Sequence, residues 1–198
     1  MAKKIDKLFS DMAMRGVKSS SKRKMFNAYN WYRKRTEKIS KVNRKDLMKT
    51  EGFKKRARPM VGGMYFYAYD PKMKKELPFY DRFPLILMVA PAPGGFYGCN
   101  LHYLSPRLRA ILLDELTKIS KLKTAGKTKR LQLTYNMLRG ASKLSAFKPC
   151  FKKYLSKHLV TVPTEVPYED WEKVIFLPTE SFVGASKTAV WRESNKQI

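Results

Sequence analysis

The sequence predicts an α+β protein: a small antiparallel three-stranded sheet covered by several helices, with a basic helical N-terminal arm. Three observations predict it. Aromatic and apolar runs bounded by Gly and Pro cluster between residues 62 and 104. Apolar residues at helical spacing dominate the flanks. Positive charge concentrates at the start, where residues 1–60 hold 20 basic and 5 acidic side chains. The expected division is therefore a basic helical arm, residues 1–60, and an α+β globular domain, residues 61–198.

The elements follow in order. Ile5, Leu8, Phe9 and Met12 share one face of a short helix over residues 4–14. Gly16 ends it, and Ser19, Ser20 and Ser21 can cap a second helix over about 22–39. The run GGMYFYAYDP (62–71) reads as a strand ending in an Asp70-Pro71 turn. A second strand spans about 83–89, and a third follows Gly94-Gly95; APAPGG between them is a loop of hairpin length. Ser105 then caps a helix with Pro106 at its first position. Leu108, Ile111, Leu112, Leu116 and Ile119 continue it, and Gly126 stops it. Leu131, Tyr135 and Leu138 mark the next helix. Phe151, Tyr154, Leu155 and His158 mark another, begun at Pro149. Residues 160–167 are extended, a short helix carries Trp171, Val174 and Ile175, and a last one covers about 186–194.

Composition narrows the function classes. A hydrophobic content of 43% is too high for a wholly disordered chain. No apolar run approaches the roughly 18 residues of a membrane span, and the N-terminus lacks the apolar stretch of a secretory signal. Two cysteines are too few for a disulfide scaffold, which favours a reducing compartment. The net charge is +26. Such a charge destabilises the compact state unless a polyanion neutralises it, and nucleic acid is the commonest one.

Candidate contacts follow from the charge clusters. Lys22, Arg23, Lys24, Arg33, Lys34 and Arg35 bracket the second helix, and Lys54, Lys55, Arg56 and Arg58 form a cluster before Pro59. A further surface includes Lys118, Lys121, Lys123, Lys127, Lys129 and Arg130 around an interhelical loop. All suit phosphates. Tyr29, Trp31 and Tyr32 lie among the first group and have two readings, stacking on bases or turning into the core.

Other chemistries have weaker support. Cys99, His102, Cys150 and His158 supply enough ligands for tetrahedral zinc, but the spacing of the second pair fits no finger. Asp70, Glu76 and Asp81 could serve a metal-dependent nuclease, yet their spacing fits no nuclease motif. No glycine-rich phosphate loop is present, since GGMYFY and PGGFYG lack the Lys-Ser/Thr and the following helix. The residue reading therefore assigns no catalytic residue, metal or cofactor.

Four blocks add a resemblance: YDPKMKKELPFYDRFPLILM, GGFYGCNLHYLSPRLRAILLDEL, FKPCFKKYLSKH and WEKVIFLPTESF. They resemble a family of small basic proteins of T-even-like tailed bacteriophages, the DNA end protector proteins. The resemblance covers about residues 60–195, and no functional residue carries over with it. It implies a non-enzymatic protein that binds the ends of packaged double-stranded DNA and blocks host exonuclease; the net charge of +26 and the basic arm add binding without sequence preference. It also implies residence in the virion and then in the host cytoplasm. The alternative is a structural virion protein of neck, tail or baseplate contacting DNA or acidic partners. Other virion proteins are expected partners in either case; a membrane is not.

Overall fold

The three strands expected between residues 62 and 104 form, and three further strands pair with them. The structure, a computed structural model, describes residues 7, 11, 14–15, 21–39, 42–120 and 126–195. The predicted helix over 4–14 lies largely outside the described residues. The chain divides into two units, Met1–Glu51 with Asp170–Thr179, and Gly52–Glu169 with Glu180–Ile198. The helices are α1 (Lys22–Glu37), α2 (Arg44–Leu47), α3 (Pro106–Ser120), α4 (Lys127–Ala141), α5 (Trp171–Ile175) and α6 (Lys187–Asn195).

The first unit contains α1, α2 and α5. Ser21 caps α1, its Oγ accepting from the Lys24 amide, and Lys34 and Arg35 in the last turn complement the helix dipole. What holds α1 in place is Tyr32, fully buried among Tyr29, Trp31, Ile39 and Phe176. Its hydroxyl donates to the Lys173 carbonyl. Burying such a ring contributes about 2 kcal/mol, against about 1 kcal/mol for the cap.

The second unit is built on a six-stranded antiparallel sheet, which corrects the expected three. The strands are β1 (Lys54–Lys55), β2 (Met64–Phe66), β4 (Leu85–Ala92), β5 (Gly95–Asn100), β6 (Phe151–Leu155) and β7 (Thr164–Val166), in the order β1-β7-β2-β4-β5-β6. A separate pair joins β3 (Tyr80–Asp81) to β8 (Phe182–Val183). Strands β1 and β7, of two and three residues, are too short for a periodic signal. Strand β6 replaces the helix expected from Pro149. The spacing of Phe151, Tyr154 and Leu155 serves either structure, and the free edge of β5 decides, pairing Gly95 to Cys99 with Leu155 to Phe151.

The β4–β5 hairpin is tighter than APAPGG suggests. Ala92 pairs with Gly95, leaving Pro93-Gly94 as the turn, with Gly94 at φ 72°. Proline then glycine suits a type II turn. Gly95 is needed for a second reason: a Cβ there would meet the Tyr154 carbonyl at 1.8 Å. On β4, strand β2 pairs only with Leu85–Leu87, so the later part of β4 tolerates Pro91.

One sheet face buries Tyr65, Tyr67, Tyr69, Ile86, Met88, Phe96 and Tyr154 as a single cluster. Tyr67 meets Tyr69, Phe96 and Tyr154 edge-on at centroid distances of 6.2, 6.0 and 5.6 Å. Each such pair adds about 0.5–1.5 kcal/mol beyond burial. Helix α4 packs on β4, and the 3-10 turn Ser145–Cys150 packs on β5 and β6.

A buried polar network pins these layers. The Asp81 carboxylate accepts from the amides of Phe83 (3.0 Å) and Ser181 (3.1 Å) and from Asn100 Nδ2 (3.2 Å). It also lies 2.6 Å from His102 Nδ1. Burial alone would push the carboxyl up, but the His102 ring and these donors outweigh it and hold it below its ordinary value. Nearby, buried Arg109 donates to Glu180 (2.5 Å) and to the carbonyls of Leu104 and His102. Burial pushes the Glu180 carboxyl up and Arg109 pulls it below its ordinary value.

The expected consequence is acid sensitivity. Both carboxyls have lowered folded values, so their stabilisation is complete above the unfolded value of about 4 and is lost as pH falls through the native values. Urea midpoints should therefore drop on titration from pH 7 towards 3. Asp81→Ala should cost about 3–5 kcal/mol at pH 7, since it removes the buried carboxylate that His102, Asn100 and the Phe83 and Ser181 amides share, and should flatten that pH dependence. A wild-type midpoint constant down to pH 3 would contradict the assignment.

Candidate nucleic-acid interface

Helix α1 presents its cations unevenly. Tyr32, Ala28 and Thr36 lie on its buried side. The opposite side, at i, i+4 and i+11, exposes Arg23, Asn27 and Lys34, with Asn30 half-buried between them. Lys24 and Arg35 are exposed alongside. Glu37 is the one acidic residue among the 16 of the helix, at its C-terminal end. A helix of that length spans about 24 Å. Its solvent side is thus a row of cationic and amide donors with carboxylate at one end only.

Two of the expected contacts have other employment. Arg33 is largely buried, its Nη2 2.9 Å from Glu172 Oε1 and its guanidinium 4.8 Å from the Phe176 ring centroid. Tyr32 is wholly inside, so as a stacking residue it is corrected to a core residue. Tyr29 and Trp31 are half-buried against it, and Arg15 lies over the Trp31 ring at 4.2 Å. The exposed aromatic on this helix is instead Phe26, at 60%. Nothing in the spacing of MFNAYNWY separates Phe26 from its neighbours, because Met25, Phe26, Tyr29 and Tyr32 all fit one broad face.

The second cluster lies in the second unit. Lys54 and Lys55 form the outer strand β1 and are exposed. Lysines on an edge strand also deter pairing with other chains, so phosphate contact is not their only role. Arg56 bonds Glu165 at 2.7 Å, while Arg58 is exposed. That ion pair raises the Arg56 pKa, by its hydrogen bond first and its charge second. The structure brings Lys54, Lys55 and Arg56 to the same sheet edge.

In the third cluster Lys129 is exposed on the first turn of α4. Lys127 and Arg130 lie in the same turn. Lys123 lies outside the described residues, as do the side chains of Lys22, Lys127 and Arg130. Cluster reading missed Arg139, Lys143, Lys148, Lys153 and Lys157, all exposed, because they are spaced singly except for the Lys152-Lys153 pair. A different signal marks them. From Leu116 to Thr164 the chain has 12 Lys and Arg and no Asp or Glu.

The possible metal ligands part company. Cys99 and Cys150 meet as buried free thiols; their hydrogen bond and then burial push Cys99 well above its ordinary value. His102 is taken by Asp81, and the His158 ring bonds the Asp70 carbonyl at 2.9 Å. The Asp70 carboxylate pairs with Lys74 on the surface. Among the described residues no group of three or more His, Cys, Asp or Glu could hold a metal ion. Among them too, no helix is long and apolar enough to cross a membrane.

Chemically, this arrangement offers dispersed phosphate donors on folded supports. No curated protein and no solved structure matches the chain. A family model described as Phage T4 terminal DNA protecting protein matches residues 5–195. That description fits a protector of DNA ends and not a neck, tail or baseplate component. With a match across nearly its whole length, this chain belongs to the phage T4 terminal DNA protecting protein family.

Proposed function

We propose that the chain binds the ends of double-stranded DNA through phosphate contacts, without reading sequence, and shields the terminus from host exonuclease by covering it. Family membership carries the end-protecting part. The chemistry of binding is supported by a net charge of +26 and by the exposed row Arg23, Lys24, Lys34 and Arg35 on α1. Lys54, Lys55, Arg58 and Lys129 supply further contacts. The action is steric and non-enzymatic, requires no cofactor, and takes place in the virion and then in the host cytoplasm, with other virion proteins as neighbours.

Salt decides the mechanism. Neutralising about 6–10 phosphates should cost a factor of about 10³–10⁵ in affinity between 50 and 200 mM salt. Filter binding to a linear duplex, run beside exonuclease digestion of that duplex, checks both halves. Binding without salt dependence, or a bound duplex still digested at the free rate, would remove the reading.

Two helix positions one residue apart should separate binding from folding. Lys34→Ala should lower the slope of log affinity against log salt by about 1, with the urea midpoint unchanged. Arg33→Ala should destabilise the first unit, since it leaves Glu172 buried without this partner. Equal losses of affinity at unchanged stability in the two variants would show that Arg33, too, grips DNA.

A further inference from the structure

A protein held only by phosphates has no reason to choose an end. The backbone charge runs the length of the duplex, and a terminus offers fewer phosphates than an interior site. What an end alone offers is one unstacked face of a base pair, flat and apolar, between two phosphate strands. A device for ends therefore needs an exposed planar side chain set within cations.

The second unit has one. Tyr97, on β5, is 44% exposed although it belongs to the sheet. Its cross-strand partners explain why: Ala90 on β4 and Lys153 on β6. Gly95, two residues before it on the same side of the strand, adds no bulk. The ring thus stands beside a single methyl group on one side and an exposed lysine on the other. An isolated exposed tyrosine would need no explanation. This one adjoins the acid-free stretch 116–164. Lys148 is exposed on the 3-10 turn Ser145–Cys150, which packs against β5 and β6. Lys143 precedes it, and Arg139 continues the solvent side of α4 through Asn136 and Gln132 to Lys129.

We propose that Tyr97 distinguishes a DNA end from the duplex interior, its ring stacking on the terminal base pair while Lys153, Lys148, Lys143 and Arg139 hold the flanking phosphates. This rests on the end-binding function proposed above and adds its recognition element. Lysine and arginine then supply affinity for any duplex, and the tyrosine supplies the preference.

The test uses the full chain, a labelled blunt duplex, and two competitors of equal length, blunt linear and relaxed circular DNA. Wild type should be displaced more readily by the linear competitor per base pair. Tyr97→Ala should lower that preference by about tenfold or more, the worth of one aromatic–base stack, with circle binding unchanged as a control for folding. Tyr97→Phe should retain the preference, and Tyr97→Leu, which keeps bulk but not the ring, should lose it. If Tyr97→Leu or Tyr97→Ala keeps the wild-type preference, the assignment of Tyr97 is overturned and the end-binding function stands. If wild type binds neither DNA, or binds both equally, the function itself has failed.

Discussion

The second unit depends on one carboxylate. Asp81 belongs to a two-residue strand with little pairing of its own, yet its side chain ties together residues from 81 to 181. Asn100, at the end of β5, turns its amide to Asp81 and Tyr154 and its carbonyl to the His102 amide. One asparagine therefore couples the aromatic sheet face to the polar network. Arg109 and the Trp191 indole then converge on the His102 carbonyl, which brings α3 and α6 to the same point. Removing a partner from such a network costs more than making it gains, because each remaining donor is sealed from water.

This use of acidic residues bears on the charge. The chain has 16 carboxylate side chains against 42 cations. Asp81 and Glu180 lie inside, Glu165 holds Arg56, Glu172 holds Arg33, and Asp70 holds Lys74. These five acids each hold a specific partner in the fold, and from residue 116 to 164 there is no acid. The price is self-repulsion among the remaining cations. The aromatic cluster around Tyr67 and the sheet ladders must offset it when no ligand is present. A bound polyanion relieves it and so stabilises the folded state.

Much of this was legible in the sequence, and the rest was hidden for identifiable reasons. Ser105-Pro106 announced α3, and Gly94-Gly95 announced the hairpin, because capping and turn chemistry act locally. Strand β6 was hidden because FKKYL satisfies helical spacing as well as pairing, and only the edge of β5 chooses between them. Clustered cations were readable, but which of them face solvent was not. Arg33 and Lys34 are adjacent in sequence, and only one meets a carboxylate brought from 139 residues away. Tyr97 gave no signal at all, since its exposure depends on Ala90 and Lys153 across two strand pairings.

Charge and end preference make opposite demands on such a protein. Each added phosphate contact strengthens binding everywhere on the duplex, and interior registers on a long genome vastly outnumber its two termini. One stack contributes about 1–3 kcal/mol, roughly 5–150-fold, which cannot overcome that excess by equilibrium search. End occupancy under the proposed function therefore needs placement as well as recognition. A protein set on the terminus within the particle starts at high local concentration and does not have to search for it. A stack then keeps it there: sliding inward would gain phosphates but lose the only aromatic contact the duplex offers. The salt-dependent grip and the salt-tolerant stack thus divide the work, one resisting dissociation and the other resisting drift.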